Sequence, residues 1–204
     1  MNSFGMKFIQ TLADIDFHPV IKLPDQYKVF DFTNGYDDEE VQKATWGVGR
    51  YNERRRNMYT APQYENRRFI HMGIDIWTPV HELVYAAWDG VVEYIADHNQ
   101  PGNYGPVIVL KHSFDDVNLY ALHGHLTRSS IKKVEIGEQV NRGDNFARIG
   151  DYEENGNWEP HLHYQLSFID PGKADMPGVV SEDDLQESLK IYPDPRIVLG
   201  ALYD

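Results

Sequence analysis

The side chains of this chain that could do chemistry fall in three clusters in a fixed order. These are His71-Met72-Gly73-Ile74-Asp75, His123-Gly124-His125 and His161-Leu162-His163, and they hold five of the nine histidines. Each lies in an apolar, strand-like segment, where an unpaired polar group is costly to bury. The first and third clusters together supply two imidazoles and a carboxylate. Such a set holds a catalytic zinc ion and leaves a coordination position free for water. A metal site therefore accounts for the clusters better than a scatter of surface histidines. With no cysteine in the chain, thiolate sites, disulfides and cysteine nucleophiles are excluded.

Spacing says how the clusters would be presented. Read as a strand, 161–168 places His161, His163, Gln165 and Ser167 on one face and Leu162, Tyr164, Leu166 and Phe168 on the other. The same alternation predicts that His123 and His125 share a face, opposite Tyr120, Leu122 and Leu126. His71 and Asp75 are four apart, a helical spacing, but Gly73 between them and Pro79 beyond argue for a strand end that turns through Gly73.

The elements that must position these residues read mainly as β-strand. Ile74-Asp75-Ile76-Trp77 alternates, Gly90–Ile95 and Val107–Leu110 are rich in β-branched residues, and 134–144 reads as short strands punctuated by glycine turns. Gly102, Gly105 and Pro106 read as a turn. No crossover helices separate the strands, so the expected fold is a mainly β, antiparallel-sheet core with short peripheral helices. Three regions are expected: an N-terminal extension packed on the core (1–66), the core (67–169), and a C-terminal loop and short helix (170–204). In the extension, 37–44 reads as a short acidic-started helix. Arg50, Arg54, Arg55, Arg56, Arg67 and Arg68 read as a solvated or ion-paired face in preference to an anion-binding patch. In the tail, Ser181-Glu182-Asp183-Asp184 starts a helix ending near Lys190, after which Pro193 and Pro195 block regular structure. The tail carries no evident chemistry.

Composition narrows the function classes. A net charge of −13 makes nucleic acid and anionic lipid poor partners. No run of apolar residues is long enough to span a membrane. The first ten residues lack a basic segment followed by a long apolar one, so a cytoplasmic location is the expectation, with a secreted or periplasmic one open if the N-terminus was trimmed. Oligomeric state is not legible.

The combined motifs resemble a known family. His71–Asp75 followed by Ala86-Ala87-Trp88-Asp89-Gly90-Val91-Val92 is similar to the opening of the lysostaphin/LytM-type zinc metallopeptidases. Gly124-His125-Leu126 resembles that family's Tyr-Ala-His-Leu element, and Pro160-His161-Leu162-His163 its Pro-His-Leu-His element. Residues 136–144 match the glycine-spaced strand pair between them. The likeness covers about residues 67–169. It implies one zinc ion per chain held by His71, Asp75 and His163, with His125 and His161 beside the metal-bound water and a peptide or peptidoglycan-fragment substrate. His123 stands where the family has a tyrosine and inherits no role. The family's Ser-Thr-Gly loop is replaced here by 153–159, which puts the usual glycine-rich or cross-linked wall peptides in doubt as substrates. Gly47–Glu53, Glu154–His161 and Tyr192–Pro195 are similar to a narrower branch, found inside bacterial proteins that fuse a kinase-like domain, this domain and a class III aminotransferase.

The implied activity is hydrolysis of a peptide bond by zinc-activated water. His161 is the expected general base, because it shares a strand face with His163, and His125 is expected to stabilise the oxyanion or protonate the leaving amine; the two roles are exchangeable. Two rivals fit the donors: a non-catalytic zinc-binding interaction module on a peptidase scaffold, and a non-haem iron oxygenase built on two histidines and a carboxylate. The leader could also block the site, with Asn34 or Asp37 in the open metal position.

Overall fold

The computed structural model describes residues 12 and 14–204, except 60, 66, 115 and 116. Its twelve strands are β1 (Lys28–Val29), β2 (Gly47–Gly49), β3 (Ile70–His71), β4 (Ile74–Trp77), β5 (Leu83–Tyr85), β6 (Gly90–His98), β7 (Gly105–Phe114), β8 (Val117–Gly124), β9 (Gln139–Val140), β10 (Asn145–Arg148), β11 (His161–Ser167) and β12 (Val179–Val180). Eight of them form one sheet in the order β1-β2-β4-β11-β8-β7-β6-β9. Every neighbouring pair is antiparallel except β1 with β2. β10 pairs with β5, and β12 with β3, in two small antiparallel sheets. The mainly β, antiparallel fold expected from the strand patterns is the fold observed.

Alternation decides what faces what. Leu162, Tyr164 and Leu166 of β11 enter the main core with Ile74, Ile76, Ile108, Leu110, Leu119 and Ala121. His161, His163 and Gln165 take the opposite face, yet all seven residues of β11 are buried. That second face is covered as well. Val107, Val109, Tyr120 and Leu122 meet Ala174 and Met176 there. Register then assembles the site: His163 lies opposite Asp75 on β4 and opposite Gly124 on β8.

The extension is woven into this frame. Val20 and Ile21 join the main core, and Phe30 and Phe32 pack with Trp77 in a satellite cluster. The expected short helix is α1 (Asp38–Lys43), with the Asp37 carboxylate accepting the Glu40 N–H at 3.1 Å. A shorter helix, α2 (Arg128–Ile131), is capped by Thr127. The tail helix is α3 (Leu185–Ile191), its entry held by reciprocal Ser181–Asp184 hydrogen bonds.

Three local expectations fail. Gly105 and Pro106 open β7 instead of forming a turn, because a proline at a strand's start loses no ladder bond it needs. Only Gln139–Val140 within 134–144 is strand. Pro195 precedes a further helix, α4 (Arg196–Leu199), because proline's fixed φ suits a helix start.

Candidate metal centre

β3 and β4 are separated only by Met72 and Gly73, so the chain folds back between His71 and Asp75 and both side chains reach one point. Gly73 is required there: a Cβ would stand 2.6 Å from His163 Cε1 and 2.7 Å from its Nε2. His71, Asp75 and His163 are all buried, and their ligand atoms lie within 4.8 Å of one another.

The triangle they form is tighter than that bound requires. His71 Nε2 is 3.1 Å from His163 Nδ1 and 3.3 Å from Asp75 Oδ1, and His163 Nδ1 is 3.0 Å from the same oxygen. Ligand atoms about 2.0–2.1 Å from a tetrahedral zinc stand about 3.3 Å from one another. Hydrogen bonds outside the triangle set the tautomers. His71 Nδ1 donates to the Arg50 carbonyl at 2.9 Å, which leaves Nε2 bare. The Gln165 amide donates to the Pro177 carbonyl, so its oxygen faces His163 Nε2 at 3.0 Å and accepts a hydrogen bond from that ring's N–H. His163 Nδ1 is then bare too. Three lone pairs converge on one point, an arrangement that repels itself until a cation enters. The donor set therefore fits zinc.

Ionisation agrees. Burial pushes the His71 imidazole down to about 4, and the Arg55 guanidinium adds to this. Burial works to raise the Asp75 carboxyl, but His71 and Arg55 together hold it well below the usual range.

The other two histidines stand beside the triangle. His161 Nε2 is 3.8 Å from Asp75 Oδ1, and its Nδ1 donates to the Glu159 carbonyl at 2.7 Å. His125 Nδ1 donates to the Asn155 carbonyl at 2.7 Å. The two rings lie 4.1 Å apart, and His161 stacks on Trp77. Both therefore keep a bare Nε2. Burial lowers the pKa of both, with His161 as the next cause for His125, so each is neutral at pH 7 and free to accept a proton. The loop that departs from the family pattern, 153–159, supplies both carbonyls. Asn155 braces it by donating to Trp158 O and accepting from Trp158 N.

The site opens into a cavity of about 490 Å³. Met58, Tyr59, Tyr64 and Arg68 line one part, Tyr104 and Trp158 another, and Pro171, Lys173, Asp175, Met176, Pro177, Gly178, Val179 and Tyr192 a third. The tail thus packs over the site and walls it, a place the sequence reading did not give it. Its sequence has no pattern that announces this, because only chain closure through β12–β3 brings it there.

Further corrections concern single residues. His123 and His125 do not share a face. His125 has φ 63, a left-handed conformation that breaks the alternation and turns its ring to the cavity. His123 points into the core against Phe146 and Tyr164. Asn34 is exposed, and Asp37 caps α1; neither lines the cavity. Of the arginines, Arg54, Arg56 and Arg67 pair with Glu182 or Asp183 at the surface, as an ion-paired face should. Arg55 does not. It is buried and donates to Asp75 Oδ2 at 2.6 Å. Sequence reasoning missed it, although Glu53 and Arg55, opposite charges two apart, are a recognisable pair in an extended segment.

The β-sheet domain thus carries a buried His–Asp–His triangle at the floor of a cavity. Residues 69–174, just over half of the chain, match the model of peptidase family M23, and the chain belongs to that family. It is 33% identical over 103 residues to the uncharacterized lipoprotein YgeR of Escherichia coli (strain K12), a match covering 48% of this chain and 37% of that protein. It is 34% identical over 96 residues to the peptidoglycan DD-endopeptidase ShyC of Vibrio cholerae, covering 47% and 20%. The chain thus spans well under half the length of these relatives. The catalytic domain of the antimicrobial peptidase lysostaphin from Staphylococcus simulans superimposes with a TM-score of 0.42 at 21% identity, over 58% of this chain and 80% of that one.

Proposed function

We propose that this protein is a zinc-dependent metalloendopeptidase that hydrolyses an amide bond in a peptide, of peptidoglycan type or a small fragment of it. His71 Nε2, Asp75 Oδ1 and His163 Nδ1 hold one zinc per chain. The observation that carries this reading is the convergence of three bare donor atoms at 3.0–3.3 Å in a buried site. When bound, zinc supplies a Lewis acid that acidifies water and polarises a carbonyl.

The chain's own residues do the rest. His161 Nε2, bare and close to Asp75, takes the proton of the attacking water. His161 then returns that proton to the leaving amine; His125, across the 4.1 Å ring contact, can serve the oxyanion or the amine only once its bare Nε2 has taken up a proton. The carbonyls of Glu159 and Asn155 fix both rings in the required tautomer. Tyr59, Tyr64, Tyr104 and Trp158 offer aromatic walls that exclude water and grip a peptide.

The name of the ShyC relative supports the peptidoglycan-type substrate. A lipoprotein and a peptidoglycan endopeptidase as relatives give no support to a cytoplasmic location; a site outside the cytoplasm, where peptidoglycan lies, fits better. Among the described residues no helix is long and apolar enough to cross a membrane. We keep the division at 66/67 and 169/170 as a description of one packed unit, supported by β1 and β2 pairing into the core sheet.

The test is elemental analysis of wild type and His163→Ala, with hydrolysis of peptidoglycan fragments followed in parallel. One zinc per chain, lost with activity in the mutant, is the expected result. Iron in its place would favour the oxygenase, and zinc without any hydrolysis the interaction module.

A further inference from the structure

We propose that Arg55 is a positioning residue that fixes Asp75 as a one-oxygen metal donor; this rests on the reading of Asp75 as a zinc ligand. Arg55 is 0% exposed. Its Nη1 donates to Asp75 Oδ2 at 2.6 Å and to the Tyr59 hydroxyl at 3.1 Å. Its Nε donates to Glu53 Oε2 at 2.7 Å, and its Nη2 to the Arg50 carbonyl at 3.3 Å. Glu53 is anchored in turn, its other oxygen accepting the Phe32 N–H at 3.2 Å. The guanidinium packs against the Phe32 ring, 5.0 Å from its centre. Held on all these sides, it has no room to swing.

The two oxygens of Asp75 are thereby divided. Oδ1 faces His71 Nε2 and His163 Nδ1, and Oδ2 is taken by Arg55. A carboxylate free at both oxygens can close on a cation with both, which raises the coordination number. With Oδ2 pinned, only one donor is presented, and a position stays open for water and substrate. The division also fixes the carboxylate plane, as outer partners do for metal ligands generally.

The same stretch of chain supports the neighbouring ligand. Asn52 N donates to His71 O at 2.7 Å, His71 N to Glu53 O at 2.9 Å, and Arg55 N to Phe69 O at 2.8 Å, so 52–55 runs alongside β3. Arg50 O accepts from His71 Nδ1. Residues 50–55 thus orient two of the three donors, and they lie outside the segment that matches the family model. The N-terminal extension is part of the metal centre's support.

The experiment uses the full chain, loaded with zinc or with cobalt(II) as a spectroscopic substitute. Three variants are compared with wild type: Arg55→Lys, the double variant Glu53→Gln/Arg55→Met, and Arg54→Met as a surface control. The double variant removes the buried Glu53–Arg55 pair together, so Glu53 is not left unpaired; circular dichroism checks that each folds. Zinc affinity is read by competition with a chromophoric chelator. The expected result is a loss of about 10–100-fold in affinity for the double variant and a smaller loss for Arg55→Lys, which keeps the charge but not the fork. The visible bands of the cobalt form should weaken in the same order, as Oδ2 joins the metal and four-coordination gives way to five. Arg54→Met should match wild type. Wild-type affinity and spectrum in the folded Arg55 variants would overturn the proposal and leave the zinc reading standing. Failure of wild type itself to bind either metal would overturn both.

Discussion

His71 Nε2 and His163 Nδ1 stand 3.1 Å apart, and neither has a hydrogen to offer the other. Each ring spends its proton outward, on Arg50 O and on Gln165 Oε1. Two such lone pairs would repel each other without a cation between them, so a bound zinc is expected to stabilise the fold. Zinc at about 100 times its Kd should add about 2.7 kcal/mol to unfolding stability. Thermal melts after chelation, with and without added zinc, check this. A rise in wild type that is absent in His163→Ala is expected; no rise in wild type would mean that the triangle is not a metal site.

His161 and His163 lie two apart on one strand face but should fail differently. His161 contributes no atom to the triangle, so His161→Ala should keep its zinc and lose about 10²–10⁴-fold in kcat. His163→Ala should lose both. Zinc content and turnover of the two variants, measured together, separate the roles, and full turnover in His161→Ala would refute its assignment as the base.

The pH dependence of stability follows from the buried imidazoles. Burial holds His71 down to about 4 and His123 to about 3, and it lowers His125 and His161 as well. Above pH 6.5, the unfolded value, folded and unfolded chains are both neutral at these sites and stability is complete. Below it the unfolded chain takes up protons that the folded chain refuses, so stability falls with pH by about 1.4 kcal/mol per unit for each such histidine. The window runs from 6.5 down to the lowered folded values. Asp75 acts only below 3.8, where protonation would cost further stability. Urea unfolding of metal-free protein at pH 7.5, 6.5 and 5.5 should show this slope. His123→Phe, whose ring still packs between Phe146 and Tyr164, should lower the slope by one histidine's share.

How far the site could be read in the sequence depended on how far its geometry was local. The alternation of β11 is a period-2 pattern over seven residues, and it placed His161, His163 and Gln165 on one face as found. The His71–Asp75 pair needed only the turn at Gly73. His125 could not be placed by pattern, because one left-handed φ overrides the alternation. Arg55 looks like Arg54 and Arg56 until 52–55 is known to run beside β3, which puts Arg55 inside and Arg54 outside. The tail's wall is a purely tertiary result: the β12–β3 pairing carries 171–179 over the site, and nothing in that loop's composition encodes it.

Gly73 offers a steric test of the ligand geometry. Its φ is not in the left-handed region, so the backbone there accepts alanine. The added methyl would instead meet His163 Cε1 at 2.6 Å, its Nε2 at 2.7 Å and the Tyr164 carbonyl oxygen at 2.9 Å. The ring has little room to yield, because Gln165 holds its Nε2 and Tyr104 packs 5.1 Å from its centre. Gly73→Ala should therefore displace His163 from the triangle. A cost of about 1–3 kcal/mol in stability is expected from overpacking. Zinc affinity should fall by at least tenfold, since His163 moved off its position cannot keep its edges of 3.0 and 3.1 Å to Asp75 and His71. Zinc titration of folded Gly73→Ala decides the matter. Wild-type affinity with lowered stability would mean that the methyl is absorbed by the backbone and that Gly73 does not set the position of His163.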